Sequence, residues 1–264
     1  MNILLRELRA NLKSLLIWCV ISVLFVTVGL SKFSAYEGNP ELLAVLDGLP
    51  PAMLEAFNLN AFNLTTLTGF FGVMLTYFGL ILSISAAMWG TDIITKEERD
   101  KTVEFALSLP VKRSRLITFK ALAAVINCLV LLMVTWGAVL ANASVYQADS
   151  QFFQFVARSM LALLILQLIF LSVGLLLGCA LTHYKRAGSL AISVLLGAYF
   201  LSILAGLSED LQFLKYLTPF KYFNPADLLH SGAFEPVYLL LSAGIVAACL
   251  AGAYVGYARR DLYI

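Results

Sequence analysis

The sequence has few charged residues. Asp, Glu, Lys and Arg make up 13% of the 264 positions, whereas 61% are hydrophobic. Soluble domains carry about 25% charged and about 45–50% apolar residues. The apolar residues come in long runs, and a helix that is apolar all round lies in a large core or in lipid. A chain of this length cannot bury several such helices in its own core, so the sequence predicts an all-α, polytopic membrane protein.

The sequence also lacks the motifs of several enzyme classes. It has two histidines and contains no H-E-x-x-H, no G-x-S-x-G and no G-x-x-x-x-G-K-[ST], which excludes the metalloprotease, serine-hydrolase and P-loop motifs. The four cysteines lie in different apolar runs without a C-x-x-C pair, so we expect neither a disulfide framework nor a zinc site. We therefore predict no catalytic residue, no metal ligand and no cofactor in this chain.

Six apolar stretches approach the roughly 20 residues that cross a bilayer. They are 14–31, 69–90, 121–142, 159–182, 187–207 and 236–258, and none contains Asp, Glu, Lys or Arg. One such residue at a helix centre costs roughly 2.5–3.5 kcal/mol on insertion scales. The same absence leaves an intramembrane proton relay without obvious members, which lowers the expectation of a proton-coupled transporter.

Lys and Arg are distributed unevenly among the segments between these stretches. The N-terminal segment, the second and fourth loops and the C-terminal tail hold 14 of them, and the other three loops hold four. Because cytoplasmic loops carry an excess of Lys and Arg, we predict that both termini face the cytoplasm. The whole chain, 1–264, is interpreted as a single transmembrane domain.

Two non-spanning segments and two polar residues complete this interpretation. Residues 1–13 are predicted to form an amphipathic interface helix, although a merely basic lead into the first span is an alternative. The long first outer loop carries an apolar stretch at 41–59, which suits short interfacial or re-entrant helices. Asn127 and Gln167 lie inside spans. They would line a translocation path or hydrogen-bond to neighbouring helices, which is worth about 0.6 kcal/mol.

Two pairs of glycines spaced as GxxxG occur in the fourth and sixth spans. They are Gly174 with Gly178 and Gly252 with Gly256. Such pairs allow helices to approach closely. We expect them to serve packing within the chain, with a dimer seam as the alternative.

The most polar part of the chain is the second loop, where KEERDKTVEFALSLPVKRSRL occupies residues 96–116. Good helix formers run to Leu109, and Pro110 stops a helix. This segment, LTPFKYFNP at 217–225 and YARRDL at 257–262 together resemble bacterial type-2 ATP-binding-cassette exporter permeases. The resemblance covers the whole chain in order.

The resemblance implies a permease that works in a bacterial cytoplasmic membrane with separate ATPase subunits. The ATPase subunits would bind ATP and Mg²⁺, and a coupling helix from the loop at 92–118 would bind in a groove on them. A second permease copy, identical or related, would complete the transporter, and no nucleic acid is implied. The residues expected to couple to the ATPase are Glu97, Glu98, Arg99, Thr102, Phe105, Leu109, Pro110 and Arg113.

Two other function classes stay open from the residues. An ion-gradient carrier or channel would need no ATPase, and a membrane enzyme or assembly factor would need reactive groups clustered at one membrane face. The neutral, apolar spans suit amphipathic cargo such as peptides, antibiotics or lipids, although any bilayer-spanning scaffold has a similar composition.

Overall fold

Six long α-helices make up most of the structure, which is a computed structural model. It describes residues 3–39, 48, 50, 53–54, 59, 62–101, 112–146, 148–181, 183–207, 209–230 and 232–259. The long helices are α1 (Ile3–Ser31), α2 (Leu67–Arg99), α3 (Arg113–Ala143), α4 (Ser150–Ala180), α5 (Tyr184–Leu207) and α7 (Pro236–Arg259), and the short α6 (Pro225–His230) precedes the last. Each long helix is long and apolar enough to cross a membrane, which confirms the prediction of six spans in an α-helical protein.

The helices extend beyond the predicted spans at several ends, and local chemistry sets some of their limits. The Thr66 hydroxyl accepts a hydrogen bond from the Gly69 N–H at the start of α2, and the Asp149 carboxylate accepts one from the Phe152 N–H at the start of α4. Both are N-cap bonds. The fourth predicted span ran to residue 182, but α4 ends at Ala180.

The second helix does not continue through the second loop. It ends at Arg99, and Lys101 follows in the left-handed conformation with φ 54°, which is a common way to end a helix. Residues 102–111, which include the predicted helix up to Leu109, lie outside the described residues. The apolar stretch at 41–59 also falls almost entirely outside them.

The segment predicted as a separate interface helix forms the first turns of α1. The helix runs without a break from Ile3 to Ser31, and the sequence between them offers no proline to interrupt it. Leu4 and Leu8 pack against the core, and Glu7 is buried on the same face. The position of these turns at a bilayer surface stays a prediction.

The centre of the bundle is a contact between the backbones of α2 and α4. A Cβ built on Gly90 would lie 2.5 Å from the carbonyl oxygen of Leu171, and one built on Gly174 would overlap that of Ala87. A Cβ on Gly178 would lie 3.2 Å from the carbonyl oxygen of Thr91. Gly174 and Gly178 therefore pack helices of the same chain, as expected from their spacing, and Gly90 is the glycine of α2 that Gly174 meets.

The first helix packs mainly on α3. The hydroxyls of Ser22 and Thr135 share a hydrogen bond of 2.6 Å, and the Tyr146 hydroxyl donates to the Leu30 carbonyl at 3.2 Å. The last helix runs antiparallel to α3, where the Tyr254 and Thr118 hydroxyls lie 2.7 Å apart.

The starts of α1, α3 and α5 and the ends of α2, α4 and α7 lie at one end of the bundle. We call it the N-terminal end, and the other the opposite end. At the opposite end the ring of Phe71 packs edge-on against Phe152 and Phe155, with centroids 5.5 and 5.8 Å away. The N-terminal end is held together differently, by charged side chains.

Replacing Gly174 with alanine is expected to lower the free energy of unfolding by about 1–3 kcal/mol, because an added methyl overpacks a tight contact. Gly137→Ala is the matched control, since a Cβ there meets nothing within 4 Å and alanine favours a helix by roughly 0.5–1 kcal/mol. Thermal unfolding in detergent, followed by size-exclusion chromatography, compares the two. Equal unfolding temperatures for both variants would contradict the close backbone contact.

Candidate functional site

Five charged side chains from three helices meet at the N-terminal end. We call this set the ion cluster: Arg6 and Glu7 of α1, Lys96 and Glu97 of α2, and Lys120 of α3. The Lys120 ammonium donates to Glu97 Oε1 at 2.7 Å and lies 3.7 Å from Glu7 Oε1. Lys96 pairs with Glu7 Oε2, and Arg6 lies 3.3 Å from Glu7 Oε1 and 3.7 Å from Glu97 Oε1.

The centre of the ion cluster is shielded from solvent. The side chains of Lys120 and Glu7 are 0% and 1% exposed, and that of Glu97 is 12% exposed. Lys120 also donates to the carbonyl oxygen of Ile93 at 2.6 Å. A buried charge is costly unless it is paired and hydrogen-bonded, and Lys120 has three oxygen partners. The cluster therefore fixes α1, α2 and α3 relative to one another.

The sequence places these groups by helix register. Glu7 occurs on the face of α1 that also buries Asn11, four residues later, and residues four apart share one side of a helix. Lys96 and Glu97 occupy the last turn of α2, and Lys120 lies two turns into α3. Sequence reasoning missed Glu7. The available signal was that it is the one acidic residue in 1–13, among Arg6, Arg9 and Lys13.

The structure places four of the predicted coupling residues. Glu97 points into the ion cluster and not away from the bundle, and Glu98 is half-buried. Arg99 is exposed and forms pairs with Asp92 and, at 3.0 Å, with Asp100. These pairs lie within α2 and its C-cap.

Arg113 lies at the start of α3, where its Nη1 donates to the carbonyl oxygen of Ala258 near the end of α7 at 3.5 Å. The other predicted coupling residues, Thr102, Phe105, Leu109 and Pro110, lie outside the described residues. The structure thus places the two helix ends that flank 102–111. It leaves the coupling roles themselves as predictions.

Asn127 and Gln167 are buried inside the bundle, at 1% and 0% exposure. Neither side-chain amide has a hydrogen-bond partner among the described residues, and the Ser83 hydroxyl shares this property. The interhelical hydrogen bonds that the sequence suggested are therefore not formed within the described part. A buried polar group without a partner costs about 1–3 kcal/mol. The role of these amides along a path stays a prediction.

A groove of about 870 Å³ opens between α1, α2 and α5 at the N-terminal end. Its walls combine apolar side chains with charges of both signs. Its lining includes Asn11 and Lys13 of α1, Trp89, Asp92, Lys96 and Arg99 of α2, and Ser189, Ile192 and Ser193 of α5. Sites for small organic ligands have volumes of roughly 300–1,000 Å³. Neither Asn127 nor Gln167 lines this groove.

Six helices of membrane-crossing length and composition make this a multi-pass membrane protein. The chain belongs to a family of membrane transport components, since the family model for ABC-2 family transporter proteins matches residues 1–262. A search of curated proteins found no match for this chain. Members of this family are the membrane components of ABC transporters and are not enzymes by themselves. Membership implies association with an ABC ATPase.

Lys120→Met is expected to destabilise the protein by about 3–5 kcal/mol, because it leaves a buried carboxylate without its main partner. Arg99→Met is the matched control. Its side chain is 46% exposed, and exposed pairs contribute about 0–1 kcal/mol. Thermal unfolding in detergent measures both. A Lys120→Met protein as stable as the Arg99→Met protein would show that the cluster does not hold the helices together.

Proposed function

We propose that this chain is the permease subunit of an ATP-driven exporter in a bacterial cytoplasmic membrane, with both termini in the cytoplasm. Separate ATPase subunits bind ATP and Mg²⁺ and deliver the energy, and the permease moves the cargo. The family match over residues 1–262 supports the permease assignment, and the excess of Lys and Arg at the N-terminal end supports the orientation.

The ion cluster is the observation that carries the coupling part of this proposal. Lys96 and Glu97 lie in the last turn of α2, before residues 102–111. Lys120 lies two turns into α3, after these residues. The Glu97–Lys120 pair joins the two flanking helices directly. Because this ion pair joins the two helix ends, a displacement of the segment between them by a soluble partner would move both helices together. Helix ends without such a contact would move independently of the bundle.

The groove suits an amphipathic cargo such as a peptide, an antibiotic or a lipid. Met88 and Ile192 offer apolar surface beside Lys13 and Asp92, which carry opposite charges. The groove is open along one side in the single chain. In the proposed transporter a second permease copy, identical or related, covers this open side.

Purifying a tagged chain from its own cells in mild detergent tests the assignment, because an ABC ATPase should co-purify with it. Glu98→Lys is expected to weaken this complex, and Glu235→Lys, an exposed site near the start of α7, is the matched control at the opposite end. Glu97→Lys is a poor probe, since it would also break the internal pair with Lys120. Densitometry of the purified complex gives the ratio of the two proteins.

Two results would count against the proposal. One is a complex that survives both Glu98→Lys and replacement of residues 102–110 by a Gly/Ser linker of equal length. The other is transport of a cargo by the purified chain alone in liposomes under an ion gradient, which would favour an ion-gradient carrier.

A further inference from the structure

Glu7 connects α1 to the helix ends on both sides of the second loop. We propose that Glu7 is a positioning residue that makes the start of α1 move with the end of α2, so that the ATPase acts on the groove through α1 as well as through α2. The inference rests on the proposed function. It assigns the transmission of movement from the ATPase to α1 to a carboxylate that lies outside the second loop.

The packing of α1 gives this connection its importance. Along most of its length α1 packs on α3 and on the turn that follows it, through contacts such as Ser22–Thr135 and Leu30–Tyr146. Its contacts with α2 include a ring contact of Phe25 with Phe78 farther along the helix, but the described polar contacts lie at the N-terminal end: the ion cluster and the hydrogen bond that Trp89 Nε1 donates to Ser14 Oγ at 2.9 Å. A movement of the end of α2 therefore reaches the start of α1 mainly through these polar groups.

Lys96 links the cluster to the groove. Its ammonium pairs with Glu7, and its side chain also lines the groove. Asn11 of α1, one turn after Glu7, lines the same groove. A displacement of Lys96 must therefore either carry Glu7 and the groove wall of α1 with it or separate a buried pair.

Burial makes this connection stiff. The Glu7 side chain is 1% exposed and faces the cations of Arg6, Lys96 and Lys120. Water screens exposed charges and lets them exchange partners cheaply, whereas a separated buried pair loses its attraction without gaining hydration. The exposed pair of Arg99 and Asp92 belongs to α2 alone, so it cannot transmit movement between helices.

The test measures the width of the groove in the complex with the ATPase. Spin labels at Lys13→Cys on α1 and Ser193→Cys on α5, both exposed, report this distance by pulsed electron paramagnetic resonance. The four native cysteines are replaced by alanine, and labelled chains are diluted with unlabelled ones. Spectra are compared without nucleotide and after trapping with ATP, Mg²⁺ and vanadate.

We expect a distance shift on trapping in the parent and in Glu235→Gln, an exposed site at the opposite end, and its loss in Glu7→Gln, although the Glu7→Gln complex still assembles and hydrolyses ATP. Glu7→Asp keeps the charge and should restore part of the shift. Should Glu7→Gln fail to assemble, Lys96→Gln removes the same link from α2 and should lose the shift.

An unchanged shift in an assembled Glu7→Gln or Lys96→Gln complex overturns the role of Glu7, as does a parent complex that hydrolyses ATP without any shift. Absence of an ATPase complex in the parent overturns the proposed function instead, and the inference with it.

Discussion

The structure of this protein depends most on one buried ammonium group. Lys120 places a positive charge where solvent does not reach it, between a carboxylate of α2, a backbone carbonyl of α2 and a carboxylate of α1. Burying a charge is favourable only when such partners surround it, so the three helices must keep one register at this end. The positions of the two helix ends that flank 102–111 and of the groove edge at Lys96 both depend on that register.

The two ends of the bundle are held by different kinds of contact, and α2 takes part in each. Between α2 and α4, Gly90 and Gly174 bring backbones into contact. At the opposite end, Phe71 of α2 packs against phenylalanines of α4. Because lipid is as apolar as a helix surface, helices in a membrane associate through close packing and polar contacts and not through the hydrophobic effect. The α2–α4 pair is accordingly a tight unit, and α1 joins α2 at the N-terminal end mainly through charges.

The spans could be predicted from the sequence because an uncharged apolar run of about 20 residues is typical of a membrane-crossing helix and rare elsewhere. The helix ends could not be predicted, since good helix formers such as the Lys, Glu, Glu and Arg of 96–99 continue a helix whether or not lipid surrounds it. The packing role of Gly174 was predictable from spacing. The ion cluster was not, because Glu7, Glu97 and Lys120 lie far apart in the chain, and their meeting depends on the rotation of three helices about their axes. The same dependence left Asn127 and Gln167 without interhelical hydrogen bonds to any residue that the structure describes.

The distribution of charge through the bundle favours energy input from one end. A carrier driven by an ion gradient needs groups that bind the ion or titrate within the membrane, and the predicted spans contain no carboxylate or basic residue. At mid-depth the described helices bury amides and hydroxyls, such as those of Gln167 and Ser83, which carry no charge for a membrane potential to move. The buried charges of the described residues lie instead beside the helix ends that flank 102–111, where the proposed ATPase would bind. In the proposed transporter, work delivered there would arrive at the groove first, because Lys96 belongs both to the ion cluster and to the groove wall.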